Sequence, residues 1–439
     1  MTPQVYPRMQ AVAFIKRQPA YNLLFFDYQD QRLTVGMNDE GLAIVAACDG
    51  TNSLTHVAEN LSQQFQEHVE DITPKLTKFL QQLEMLQLVK YADSPSNAPV
   101  PVLGTKNYLT PEHVVLELTH RCPLRCSHCY LDAGHGPTMD FPRLSRLLGQ
   151  LVDEIGLRSV QLTGGEPFLY AKLGEIVNFL TGRGVPIQIT TSGIVFNESS
   201  KAVLNSLTSR RNSVQVSVDG FKQSHNNIRG NVHSFQRAMQ FLDYAIDHGV
   251  RTFTATSLIG QSREEITALC AHLRDRGVTL FRLGAVSIQG RASELGRAVR
   301  WSADDVRSLL SDLKAAYETE TFHVGAFEDL SLVKTNYNCG AGTKLLLVDP
   351  SFHVRPCPMT DLHLGSLDKE SLESIILRGN DLLQHMHAPG KDLCGDCPLE
   401  PSCRGCFAEG YSNSHRVEVC EWFNSEKSKL RPLMASEAS

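Results

Sequence analysis

Along the first hundred residues the apolar positions change period. Asn22–Tyr28 and Arg32–Val35 are short apolar stretches, and Gln29-Asp30-Gln31 between them has turn chemistry, which predicts an opening hairpin. A helical pattern follows through Glu40–Cys48, closed by Asp49-Gly50. Leu54 opens a second helix, with Ser53 as N-cap and His56, Val57 and Leu61 following. A third runs from about Asp71 to Leu88, with Leu76, Phe79, Leu80, Leu83 and Leu86 at helical spacing. Strands followed by three helices predict a winged-helix-like domain over 1–95. The Ser-, Pro-, Ala- and Asn-rich stretch Ala92–Val102 predicts a linker, placed at 96–110.

From Glu112 strand and helix patterns alternate. Strands are predicted at His113–Thr119, Ser159–Thr163, Pro186–Thr191, Ser213–Val218, Arg251–Ser257 and Leu280–Leu283. Helix-length stretches between them include Pro142–Glu154, Leu173–Arg183, Ser234–Asp247 and Arg263–Arg276. Six such repeats predict an α/β domain over 111–320, either a parallel layered sheet or an open barrel, with functional loops at the strand C-termini. Beyond a helix near Ala303–Tyr317, the segment 321–439 reads as loop-rich and cysteine-rich.

Composition narrows the possibilities. The chain has 439 residues, 42% hydrophobic and 21% charged, an ordinary globular balance that excludes disorder and fibrous repeats. Its formal charge of −6 argues against a nucleic-acid polyanion as partner. The first hundred residues hold seven Lys and Arg against eleven Asp and Glu, so the winged-helix-like unit would repel a phosphate backbone. No apolar run approaches the roughly 20 residues of a membrane span, and Ala11–Ile15 is too short for a signal-peptide core, so a cytoplasmic protein with no membrane partner is expected.

The cysteines carry the chemistry. Of twelve, three lie at Cys122, Cys126 and Cys129 and seven after residue 338; Cys48 and Cys270 stand apart on helical patterns and read as buried apolar fillers. In a reducing compartment, clustered thiols read as metal or iron–sulfur ligands rather than disulfides. The first three occupy one loop, His120-Arg-Cys-Pro-Leu-Arg-Cys-Ser-His-Cys-Tyr130, directly after the first barrel strand. Three thiolates on a [4Fe–4S] cluster leave one iron open to a chelating ligand; a zinc loop completed by His128 or His120 is the alternative. The next strand ends Thr163-Gly-Gly-Glu-Pro167, where Gly164 and Gly165 let backbone approach a ligand and Glu166 can accept hydrogen bonds from an amine.

The Cys-x3-Cys-x2-Cys loop and the following Gly-Gly-Glu-Pro resemble radical S-adenosylmethionine (SAM) enzymes. The resemblance implies a partial (β/α)6 TIM-like barrel whose cluster sits on Cys122, Cys126 and Cys129, binds the SAM amino and carboxylate groups, and cleaves SAM to a 5′-deoxyadenosyl radical. Gly164, Gly165, Glu166 and Pro167 would hold the amino group. Ser192, Ser217 and Asp219 would meet the carboxylate and ribose, and Arg229 would approach SAM.

The tail, Cys339, Cys357, Cys394-x2-Cys397-x5-Cys403-x2-Cys406 and Cys420, resembles the SPASM extension of radical SAM enzymes that modify peptides. By position, Cys394, Cys397, Cys403 and Cys420 would bind a distal auxiliary cluster, and Cys339, Cys357 and Cys406 a nearer one with an open site. That makes three [4Fe–4S] clusters; structural zinc is the alternative. Two departures from the pattern are the two-residue spacing of Cys403 and Cys406, where three is usual, and Phe352, where a glycine is usual. Cys48-Asp-Gly50 and Phe79-Leu80 through Val89 are similar to leader-peptide recognition domains, implying strand addition of a precursor peptide. Cys339-Gly-Ala-Gly342, Val354-Arg-Pro-Cys357 and Glu117-Leu-Thr-His120 most resemble sactipeptide maturases of the subtilosin type, which join cysteine sulfur to carbon within a peptide. Implied with them is an electron donor such as flavodoxin or ferredoxin; the seven tail thiols, one short of the eight that two clusters want, further suggest that the nearer cluster would bind the substrate thiolate and take up the leftover electron. A carbon–carbon crosslink or epimerisation, or a zinc-containing peptide-binding scaffold, are the competing readings. No base is singled out.

Overall fold

The computed structural model describes residues 5–29, 31–207, 209–296, 299, 301–327 and 338–434; Asp30 of the expected hairpin turn lies outside them. The chain divides into two units, Met1–Thr110 with Leu148–Arg158, and Pro111–Leu147 with Ser159–Ser439.

In the first unit β1 (Tyr6–Met9), β2 (Val12–Arg17), β3 (Asn22–Tyr28) and β4 (Gln31–Met37) precede three helices, Asp39–Ala47, Leu54–Phe65 and Val69–Met85; β5 (Val89–Ala92) and β6 (Val102–Gly104) follow. β3 and β4 are the expected hairpin, in register from Asn22↔Met37 to Tyr28↔Gln31. They are not the opening strands. The Ala11–Ile15 run, too short for an export signal, lies almost wholly in β2, and β1 pairs antiparallel with β5. The larger sheet runs β4-β3-β2-β6, so the stretch expected to be linker contributes a strand, with Val102 paired parallel to Ile15. Three residues are too few to show a period of two, which hid β6 in the sequence.

The first two helices begin where capping chemistry puts them. Asn38 Oδ1 accepts from Gly41 N at 2.9 Å, and Ser53 Oγ accepts from His56 N at 3.3 Å. The third helix ends at Met85, three residues early, because Gln87 takes a left-handed φ of 58° that turns the chain into β5. Ile15, Leu24, Val45, Cys48, Val57, Leu61, Leu76 and Leu80 from strands and helices form one buried core. Lys16, fully buried, satisfies its ammonium on Gly156 O at 2.8 Å.

The second unit is built on β7 (His113–Glu117), β8 (Ser159–Thr163), β9 (Ile187–Thr191), β10 (Ser213–Ser217), β11 (Arg251–Leu258) and β12 (Leu280–Ala285), all parallel and in chain order. These are the six expected strands. β13 (His323–Ala326) adds beyond β12, and β14 (Leu345–Val348) adds parallel to β7, carrying β15 (His353–Arg355) and β16 (Gly365–Ser366) antiparallel. The tail is thus not simply loop: four of its strands continue the barrel sheet, and Leu372–Leu383 and Glu421–Met434 are helices. Strand side chains alternate faces. Val160, Leu162, Ile187, Ile189, Val214, Val216, Phe281 and Leu283 are buried on the face that packs the helices. The other face is the more polar one, carrying Glu117, Gln161, Gln188, Thr190, Gln215, Ser217 and Arg282 beside the apolar Val115 and Phe253.

Phe352 has a φ of 62°, the left-handed region that glycine enters without strain. The turn between β14 and β15 therefore keeps the conformation for which glycine is usual. The phenyl ring is buried, with the Arg143 guanidinium 3.9 Å above it, and that packing offsets the strain. Among the described residues no helix is long and apolar enough to cross a membrane.

Candidate active site

The C-terminal ends of β7 and β8 are stitched together. Gly165 N donates to Thr119 O at 2.6 Å and Glu166 N to Arg121 O at 2.9 Å, joining the Gly-Gly-Glu-Pro turn to the chain that enters the three-cysteine loop. A Cβ at Gly164, whose φ is 131°, would lie 2.3 Å from Thr119 O, and one at Gly165 would lie 2.4 Å from Arg121 O. Both glycines are therefore demanded by backbone approaching backbone.

Glu166 is fully buried, and burial raises its pKa against the pull of its hydrogen bonds. Oε1 accepts from Thr191 Oγ1 at 2.7 Å and Phe168 N at 3.2 Å; Oε2 accepts from Ser192 Oγ at 2.5 Å and Ser192 N at 3.0 Å. Four donors occupy a carboxylate with about four acceptor positions. Glu166 thus ties β8 to the end of β9, while Pro167 starts a short 3-10 turn.

Cys122, Cys126 and Cys129 lie within electrostatic reach of one another. Burial pushes the Cys122 thiol up to about 12 and raises Cys126. The loop is held from outside its own sequence. Ser127 N donates to Ile228 O at 2.9 Å, Arg291 Nε donates to Cys126 O at 2.9 Å, and Arg291 N donates to Cys129 O at 3.0 Å. Arg229 donates from Nη1 toward Cys126 Sγ at 3.7 Å and from Nε to Asp219 Oδ2 at 2.6 Å. Asp219 is fully buried, and its Oδ1 takes Ser257 N at 2.9 Å. Burial alone would raise the Asp219 pKa; Arg229, with His128 and His225 behind it, holds it below the ordinary value. The Asp219 carboxylate is engaged by the protein itself and orients Arg229. Ser217 is the last residue of β10, half-buried on the polar face.

Beside the loop sits a second buried network. Fully buried Glu117 accepts from Arg355 Nη2 at 2.6 Å and Tyr130 OH at 3.1 Å on Oε1, while Oε2 lies 3.1 Å from His120 Nε2. Two of the motif segments, Glu117–His120 and Val354–Cys357, thus meet through an ion pair. Sequence reasoning quoted both and missed the pairing; it also missed Arg291, which lies in no motif.

In the tail, Cys394, Cys397, Cys403 and Cys420 line one pocket together with Trp422, Asn413 and Pro389. Burial pushes the Cys403 thiol up to about 12 and raises Cys394. Cys339, Cys357 and Cys406 do not line it. Gly342 N donates to Pro356 O at 3.1 Å, which sets the chain after Cys339 against the chain before Cys357. Cys48 and Cys270 are fully buried, each raised to about 12 by burial. Among the described residues no three His, Cys, Asp or Glu side chains converge as ligands of a single metal ion.

Residues 116–273 match the Radical SAM superfamily, and residues 28–89 match coenzyme PQQ synthesis protein D (PqqD). The chain thus carries a radical SAM domain and a PqqD-like domain. It is 24% identical over 449 residues to the antilisterial bacteriocin subtilosin biosynthesis protein AlbA of Bacillus subtilis, covering 97% of each chain. It is 23% identical over 279 residues to the sporulation killing factor maturation protein SkfB of the same organism, covering 63% of this chain and 67% of that one. The fold resembles the crystal structure of Streptococcus suis SuiB bound to precursor peptide SuiA, with a TM-score of 0.65 at 13% identity over 97% of this chain and 100% of that one.

A radical SAM domain implies a [4Fe–4S] cluster and SAM. The donor set fits: buried thiols whose ionised form is disfavoured without a cation, beside a backbone turn that no side chain could fill.

Proposed function

We propose that this enzyme matures a ribosomally made precursor peptide, forming a bond from a cysteine sulfur to a carbon of another residue. The observation that carries the reading is the pocket of four thiols in the tail, additional to the three-thiol loop of a radical SAM barrel. The likeness to AlbA along nearly the whole chain supports it.

Cys122, Cys126 and Cys129 would hold the first cluster, Cys394, Cys397, Cys403 and Cys420 a second, and Cys339, Cys357 and Cys406 a third. When bound, the first cluster supplies the electron that cleaves SAM to methionine and a hydrogen-abstracting 5′-deoxyadenosyl radical. The protein's part is positioning. Glu166 fixes the strand ends around the glycine turn, whose carbonyls at Gly164 and Gly165 accept no described protein hydrogen bond and suit an ammonium group. Ser192 and Ser217 would offer hydroxyls to the carboxylate and ribose. Arg229, oriented by Asp219, would sit over Cys126 as a donor to its sulfur.

In the PqqD-like domain, among the described residues, β4 pairs only with β3 in its sheet. Its other edge would take the precursor's leader by strand addition, with main-chain hydrogen bonds giving affinity. An electron donor of the flavodoxin or ferredoxin kind would serve the first cluster.

The test is anaerobic co-expression with each short cysteine-bearing reading frame beside the gene, followed by mass spectrometry with and without thiol alkylation. Each link formed should lower peptide mass by two hydrogens and remove one alkylatable thiol. A two-hydrogen loss that leaves every thiol alkylatable would point to a carbon–carbon crosslink instead, and an unchanged mass would count against both.

A further inference from the structure

The polar face of the barrel sheet contains a charge the reaction scheme has not used. Cross-strand partners share a face, and the register places Gln161 beside Gln188, Thr190 beside Gln215, Ser217 beside Ala255, and Ala255 in turn beside Arg282. This face is opposite the helix-packed row of Val214, Val216, Phe281 and Leu283. The other ion pairs on this face or at its rim are closed. Glu117 meets Arg355 at 2.6 Å, and Asp219 meets Arg229 at 2.6 Å. Arg282 is different. Among the described residues its only polar partner is the Gln215 side-chain oxygen at 3.5 Å, the limit of a hydrogen bond. Its pKa is pushed down by burial, with no carboxylate among the described residues opposing. Arg355 on the same face also keeps its buried Nε without a described hydrogen bond.

A half-buried guanidinium that no acid neutralises is costly to keep, and a planar fork of donors is matched best by a carboxylate. We infer that Arg282 is a subsite for a carboxylate bound inside the barrel, resting on the reading of the site as that of a SAM-dependent peptide maturase. Two sources share this chemistry: the methionyl carboxylate of SAM and an acidic group of the peptide. Gln215 would hold the guanidinium in place from its other side.

The test uses anaerobically reconstituted wild type, Arg282→Gln and Arg282→Lys, with binding measured by calorimetry. Probes come in pairs that differ only in the charge: SAM against decarboxylated SAM, and acetyl-Cys-Ala-Glu-Ala-amide against its Gln counterpart. In one pair wild type should prefer the charged member, and Arg282→Gln should weaken that member by about tenfold or more while sparing the neutral one. Arg282→Lys should fall between, since a point charge replaces a fork. Loss confined to the SAM pair assigns the subsite to the co-substrate; loss confined to the peptide pair assigns it to the precursor. Wild type and Arg282→Gln binding all four probes alike, with melting temperatures matched, would overturn the inference. A wild type that binds SAM but forms no 5′-deoxyadenosine on reduction would instead overturn the functional reading beneath it.

Discussion

Gly164 and Gly165 show how single positions set the site. A methyl group at either would fall within 2.4 Å of a carbonyl oxygen on the β7 extension, and backbone on both sides leaves no flexible atom to yield. Gly164→Ala and Gly165→Ala should keep the iron content of wild type and lose SAM binding, checked by calorimetry beside iron analysis. His225 is governed by burial. It is almost fully buried; its Nδ1 accepts from Asp219 N at 3.0 Å, and burial followed by Arg229 lowers its pKa to about 4. His128 is lowered to about 4 by burial as well. A histidine held neutral in the fold stabilises it above the unfolded value near 6.5, and that contribution is lost as pH falls from there toward 4. The ligand-free chain should lose melting temperature over that interval, and His225→Gln should flatten the slope. Equal slopes in both proteins would refute the assignment.

Elements repeat the lesson at a larger scale. Ser53 caps the helix Leu54–Phe65, so Ser53→Ala should cost about 1 kcal/mol in chemical denaturation of the chain. Gly104, at the end of β6, has a φ of 71°, and a Cβ there would lie 2.7 Å from Arg17 O. Gly104→Ala should cost about 1–3 kcal/mol, through strain and loss of the β6–β2 pairing. An effect within experimental error would mean that the strand is dispensable. Long periodic helices and strands of five or more apolar-rich residues were legible in the sequence: Ser234–Asp247 and Ala303–Tyr317 begin and end where their patterns do. β6, β15 and β16, with two or three residues each, carry no period and exist only because a neighbouring strand offers an edge. The motifs were legible because spacing fixes them. Arg291, Glu117–Arg355 and Arg282 were not, since their roles come from elements far apart in sequence meeting in space.

For the whole molecule, the account joins a PqqD-like domain, a radical SAM barrel and a thiol-rich tail whose strands extend the barrel sheet. If the tail thiols hold two clusters beside the first, anaerobic reconstitution should give about twelve irons per chain, and Cys403→Ala should lower the count while leaving SAM cleavage by the first cluster in place. A zinc-loaded tail would give about four irons. The most direct measurement is 5′-deoxyadenosine formation from SAM and dithionite by the reconstituted chain, with Cys122, Cys126 and Cys129 replaced singly by Ala. Wild type should release 5′-deoxyadenosine and each variant none, with iron in the tail retained. Release by any of the three at the wild-type rate would contradict the account.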